Sequence, residues 1–166
     1  MVATVRAVRP EDGAQISALH ARAFGPGRFA RTAYRIREGT GAFSRYCRVC
    51  LLDGRIIAAV RFTPIRIGGT DGALLLGPLA VDPEFANRGH GRGLVRDGMD
   101  AARADGLGLV LLVGDEPYYA RLGFVRVPAG HITLPGPVNP QRLLVAELRP
   151  GAVADYRGLV TAVVQA

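Results

Sequence analysis

This chain reads as a mixed α/β protein, and three local patterns carry that reading. Apolar residues recur at helical spacing through Ile16, Leu19, His20 and Ala23. Two apolar, strand-like runs, 46–52 and 56–67, flank Asp53-Gly54, the strongest short hairpin signal. The third pattern is LGPLAVDPEFANRGHGRGL, residues 76–94, which joins an apolar strand to a glycine-rich turn and then to a helix start. At 166 residues and 49% apolar composition, a single domain spanning 1–166 with a substantial core is expected.

In chain order, residues 4–8 alternate as a first strand, and Pro10-Glu11-Asp12 opens a helix with acidic residues in its first turn. Gly25-Pro26-Gly27 stops that helix, and a second short one is predicted over 30–37. The hairpin strands follow, and Gly68, Gly69 and Gly72 turn the chain into a strand over 73–81. Gly77-Pro78 interrupts that strand. Proline lacks the N–H a ladder requires, so a bulge is expected there, splaying this strand from the next one, 109–113. Such a splay leaves main-chain groups of Leu79, Ala80 and Val81 open to an extended, amide-bearing chain.

A helix over 90–105 buries Leu94, Val95, Met99 and Ala102 and turns Arg96, Asp97, Asp100 and Arg103 to water. Gly106 caps its end. After the strand 109–113, a Tyr-rich segment forms a short helix leading into a strand at 124–127. Pro135, Gly136, Pro137 and Pro140 mark a loop, a last clear strand covers 143–148, and the tail 150–166 packs at the sheet edge.

The glycine turn has the makings of an anion site. The first N–H groups of a helix lack partners and carry the positive end of the macrodipole, so phosphate is a natural ligand there. Gly89, Gly91 and Gly93 let the backbone approach it, and Arg88 and Arg92 add charge. The 21 basic residues are all arginine, which excludes a P-loop with its phosphate-reaching lysine. The dinucleotide fingerprint fails as well, because its third glycine falls on Leu94 or on Arg96.

These residues resemble the GCN5-related N-acetyltransferases, the GNAT family, whose acyl-CoA motif follows a Leu-x-Val strand with Gln or Arg, two residues, Gly, one residue, and Gly or Ala. PYYARLGFV, residues 117–125, is similar to the Tyr-x-x-x-Gly-Phe segment those enzymes carry after their next strand. In the register set by Val81-Asp82-Pro83 the family's leading Gln or Arg falls on Ala86. A second register, Arg88-x-x-Gly91-x-Gly93, sits two residues later than the strand allows.

The resemblance implies a mixed, mostly antiparallel sheet with helices on both faces and splayed central strands. It implies a soluble enzyme that moves an acetyl group from acetyl-CoA to a primary amine of a small molecule or peptide. Pantetheine would pair with Leu79, Ala80 and Val81, and the diphosphate would rest on Asn87, Arg88, Gly89, His90, Gly91 and Arg92. Tyr119 aligns with the family's tyrosine acid, with Tyr118 as the alternate. The strand before Leu79 carries no carboxylate, so Asp115, Glu116, Glu84 or a water chain are all candidate bases. A longer acyl donor and a catalytically silent acyl-CoA-binding module are the competing readings.

The net charge of +7 suits a polyanionic ligand such as coenzyme A. The arginines are scattered, without a block of five or aromatic interleaving, which argues against dedicated nucleic-acid binding. Cys47-Arg48-Val49-Cys50 lacks a second ligand pair, so two buried free thiols are expected rather than a metal. His20 lies on an apolar helical stripe and reads as structural, while His90 touches the cofactor or fills space. No apolar span or leader-like segment is visible, so a cytoplasmic monomer or homodimer that avoids membranes is the expectation.

Overall fold

A computed structural model describes residues 2–24 and 43–163. Its elements are β1 (Thr4–Ala7), α1 (Gly13–Phe24), β2 (Arg48–Leu52), β3 (Arg55–Ile67), β4 (Thr70–Val81), α2 (His90–Ala104), β5 (Leu109–Val113), α3 (Glu116–Ala120), β6 (Val125–Arg126), β7 (Ile132–Thr133), β8 (Leu143–Glu147) and β9 (Gly158–Ala162). The helix expected over 30–37 lies outside the described residues.

The strands order as β1-β2-β3-β4-β5-β8-β6. Pairing along that path is antiparallel except between β4 and β5. The Asp53-Gly54 hairpin forms as its sequence dictates, with both turn residues at positive φ, 52° and 74°. β3 is long enough to serve two neighbours on one edge: β2 pairs with its first half, and β9 takes Ile65, Arg66 and Ile67. The C-terminal segment is therefore built into the sheet, with β7 paired to its far side, rather than laid along an edge. β7 itself falls beside the proline-rich loop, and two residues carry too little periodicity to read in advance.

Both faces of the sheet are covered. On one, Leu94, Val95, Met99 and Ala102 of α2 pack on Ile57, Val60, Phe62, Leu74 and Leu76. The helix lies close because residue 98 is glycine: a Cβ there would run into the Phe62 ring and come 2.8 Å from the Tyr46 carbonyl oxygen. Gly106, at φ 81°, ends α2 in a Schellman motif, with Leu107 N–H on Ala102 O and Gly106 N–H on Arg103 O, both at 3.1 Å. On the other face, Ile16 and Leu19 of α1 bury against Val49, Ile56, Ala59 and Ala80. The rest of that face, including Ile65, Ile67, Leu75 and Leu111, is closed by Ile132, Ala152 and Tyr156.

The bulge in β4 positions the site. Val60 stands opposite Leu79 and Phe62 opposite Leu76, so Gly77-Pro78 faces the single residue Arg61. One extra residue inverts the side-chain alternation beyond it. Leu79 and Val81 thereby join the α2 face while Ala80 turns to the α1 face. β5 pairs only with Ala73, Leu74 and Leu75, so β4 and β5 diverge beyond that point.

Candidate functional site

The divergence of β4 from β5 opens a cleft of about 1420 Å³. That exceeds the roughly 300–1,000 Å³ of most ligand pockets. It runs between Leu76, Leu79 and Val81 of β4, the turn into α2, the end of β5 with α3, and the cleft-facing side of α1.

The turn is anchored from below by Asp82. Its buried carboxylate accepts the Glu84 N–H at 3.0 Å and pairs with Arg55 at 2.8 Å and Arg22 at 3.3 Å. Burial alone would push this carboxyl up, but the Glu84 amide and the two arginines outweigh it and hold it below its ordinary value. A short 3-10 turn, Pro83–Phe85, follows, and the chain then passes through left-handed backbone at Asn87, φ 63°, and Gly89, φ 83°. Asparagine tolerates that region and glycine is at home in it. Gly89 is the N-cap of α2, and the first helical bond runs from Gly93 N–H to Gly89 O at 3.0 Å. The N–H groups of His90, Gly91 and Arg92 are therefore the ones a helix of this geometry leaves for a ligand.

Two arginines frame this turn, each on an aromatic ring. Arg88 is exposed, with its guanidinium carbon 5.4 Å from the Phe85 ring centre. Arg92 lies 4.7 Å over Tyr118. Its Nε is fully buried and has no hydrogen-bond partner among the described residues. The guanidinium thus stands at the N-terminus of α2, where a cation and the unpartnered first amides of a helix favour an anion.

The three glycines of the turn differ in what demands them. A Cβ on Gly91 would come 2.6 Å from the Tyr118 hydroxyl and 3.3 Å from Val81 Cγ2, whereas one on Gly93 would meet nothing within 4 Å. Packing within the protein therefore demands glycine at 91 and not at 93. His90 points inward instead of at solvent, its Nδ1 3.8 Å from Cys50 Sγ.

Cys47 and Cys50 are both free and buried, and burial pushes the Cys50 thiol up, which keeps it protonated. Cys47 precedes β2 rather than standing in it, and its sulfur receives the Phe62 N–H at 3.4 Å. Among the described residues no cluster of three or more His, Cys, Asp or Glu side chains could hold a metal.

The tyrosine pair stands on α3 and lines the cleft opposite β4. Tyr119 packs edge-on against Phe124, with ring centres 5.7 Å apart, and against Tyr118 at 4.9 Å. Gly114 makes room for it, since a Cβ there would come 2.8 Å from the Tyr119 ring. Tyr118 reaches toward the turn, and burial pushes its phenol up against the opposing pull of Arg92. Leu79 and Val81 line the cleft, whereas Ala80 is not among its lining residues and turns its side chain to the α1 face.

The candidate bases separate by position. Glu116 is taken up by Arg126 at 2.9 Å, and Glu84 lies outside the cleft lining, 3.9 Å from Arg55. Asp115 is exposed and is the one carboxylate among the described residues that lines the cleft. His20, read from sequence as structural, also lines it, at the end where Phe24 and Phe43 stand. Arg61, Asn139 and Arg142 line it too. Neither local periodicity nor a motif marks these residues, because they reach the cleft only through sheet order.

Comparison with known proteins agrees with this geometry. A model of the Acetyltransferase (GNAT) family matches residues 14–124. The chain belongs to the GNAT family of acetyltransferases. The Escherichia coli protein named uncharacterized N-acetyltransferase YhbS is 30% identical over 158 residues, covering 94% of this chain and 93% of the relative. A second E. coli relative, uncharacterized N-acetyltransferase YjhQ, is 31% identical over 116 residues, 68% of this chain and 64% of that one. A crystal structure of YhbS in complex with CoA superposes with a TM-score of 0.84 at 29% identity, covering 97% of this chain and 89% of that one. A GNAT acetyltransferase from Brucella melitensis in complex with acetyl-CoA gives 0.66 at 28% identity, over 91% and 97% of the two chains.

Proposed function

We propose that this GNAT enzyme transfers an acetyl group from acetyl-CoA to a primary amine of a small molecule or peptide by direct attack. The observation that carries the reading is the meeting, in one cleft, of a helix N-terminus flanked by Arg88 and Arg92, a β4 end without a β5 partner, and a tyrosine pair. Two relatives of 28–29% identity that bind CoA or acetyl-CoA support it.

Acetyl-CoA supplies the acyl group already activated as a thioester. In this reading the main-chain amides of Asn87, Arg88, Gly89, His90, Gly91 and Arg92 hold the diphosphate, with the Arg88 and Arg92 side chains standing in for the Gln or Arg that Ala86 replaces. Main-chain groups of Leu79, Ala80 and Val81 take the pantetheine amides and orient the carbonyl, as in strand addition. The Tyr119 hydroxyl acts as general acid, giving its proton to the departing thiolate and recovering one from solvent. Asp115 receives the proton released by the amine, directly or through water, and its place in the cleft lining favours it over Glu84 and Glu116. Two free cysteines fit a reducing compartment such as the cytoplasm.

The test has two stages. Acetyl-CoA at about 100 times its dissociation constant should stabilise the fold by roughly 2.7 kcal/mol, visible as a rise in melting temperature. Thiol release with a panel of primary amines should then exceed the rate without amine. No stabilisation by either acetyl-CoA or coenzyme A would remove the reading, and binding without amine-dependent thiol release would favour the silent acyl-CoA-binding module.

A further inference from the structure

Tyr118 has no task in the transfer chemistry, yet its side chain is tightly placed. Its hydroxyl stands where a Gly91 side chain would go, 2.6 Å from that Cβ position, and its ring lies under the Arg92 guanidinium at 4.7 Å. It comes from α3, so it bridges the cleft from the β5 side to the first turn of α2. Arg92, the third residue of α2, holds its Nε–H buried and without a partner among the described residues.

We propose that Tyr118 is a positioning residue: its ring holds the Arg92 guanidinium flat over the first turn of α2, so that the terminal N–H groups of the guanidinium are presented to a phosphate oxygen of coenzyme A. The proposal rests on the acetyl-CoA reading above. A guanidinium stacked by its face keeps its N–H groups in the plane and directed past the ring, so stacking and phosphate binding do not compete. Burial keeps the Tyr118 phenol neutral, so it adds no negative charge beside the anion. The neighbouring pair makes the contrast. Arg88 on Phe85 is exposed and 5.4 Å from its ring, whereas Arg92 is half-buried and 4.7 Å from its own.

The ring is what matters here, and a double-mutant cycle on coenzyme A affinity reads it. Calorimetric titration of the parental protein, Arg92→Gln, Tyr118→Leu, Tyr118→Phe and the pair Tyr118→Leu with Arg92→Gln is the experiment. Arg92→Gln and Tyr118→Leu should each weaken coenzyme A by about tenfold, the scale of a desolvated cation–π contact that orients a charged donor. Tyr118→Phe, which keeps the stack, should stay within about twofold, and the double variant should bind no worse than Arg92→Gln alone.

Pantetheine, which lacks the phosphates, should stabilise every variant as it does the parent in a thermal-shift assay. Tyr118→Met is a second ringless variant should Tyr118→Leu fail to fold. Additive losses, an unchanged affinity in Tyr118→Leu, or a Tyr118→Phe as weak as Tyr118→Leu would each overturn the role of Tyr118. Failure of the parent itself to bind coenzyme A would instead sink the acetyl-CoA reading, and this proposal with it.

Discussion

The two halves of β4 share a strand and differ in almost everything else. Before Gly77-Pro78 the strand is hydrogen-bonded on both sides, to β3 and to β5, and Ala73, Leu74, Leu75 and Leu76 are all at most 4% exposed. After it, Leu79, Ala80 and Val81 keep β3 but have no β5 partner, and Leu79 and Val81 are only half-buried. The first half holds the sheet together and the second leaves main-chain groups without a β5 partner. One extra residue in a strand is enough to separate the two tasks, because it shifts both the ladder and the side-chain alternation.

Substitutions in the two halves should therefore fail in different ways. The largest effect is expected across the cleft from the open half. Tyr119→Phe keeps the ring that packs on Phe124 and deletes the hydroxyl proposed as proton donor, so turnover with a genuine amine should fall by about 10²–10⁴ while the melting temperature and coenzyme A affinity hold. Parental turnover in that variant would mean that the thiolate leaves to solvent or that another group supplies the proton.

In the closed half, Leu75→Ala removes a fully buried side chain between Thr63 and Leu111 and should lower stability by about 2–5 kcal/mol in urea unfolding, with coenzyme A affinity of the folded fraction unchanged. A loss of affinity without a loss of stability would erase the division between the halves.

Acid should act through two buried carboxylates. Asp12 takes two bonds from Arg6, at 2.7 and 3.0 Å, and one from the Arg9 N–H, and these hold its carboxyl below its ordinary value. Asp82, just past the open half of β4, is also lowered. Both carboxylates bind protons more readily unfolded, so their contribution is complete above the unfolded value of about 3.9 and is lost as pH falls through the lower folded values. Unfolding free energy measured down through pH 4 should fall on the acid side, and Asp82→Asn should flatten that fall. An acid limb of the same steepness in the variant would show that Asp82 is not one of the groups responsible.

The smallest effect is expected within the phosphate turn. Gly93→Ala meets open space in a helical position and should be neutral or stabilising by up to about 1 kcal/mol, whereas Gly91→Ala must displace the Tyr118 hydroxyl and should weaken coenzyme A. Equal behaviour of the two glycines in paired thermal-shift titrations would mean that Tyr118 moves aside freely.

Much of this molecule is written in short stretches of chain. The Asp53-Gly54 hairpin, the α2 stripe of Leu94, Val95, Met99 and Ala102, the Gly106 cap and the Gly77-Pro78 bulge all form as their residues dictate. Each depends on backbone preferences and hydrophobic spacing within a few residues, which sequence states directly. Tertiary structure alone decided that β9 inserts beside the second half of β3, that Asp115 and not Glu84 or Glu116 lines the cleft, and that His20 joins it. It also decided that Tyr118 meets Gly91 and Arg92 from a different element. Those pairings join residues far apart in the chain, and no local propensity encodes them: they follow from which apolar faces can be buried together once the sheet order is set.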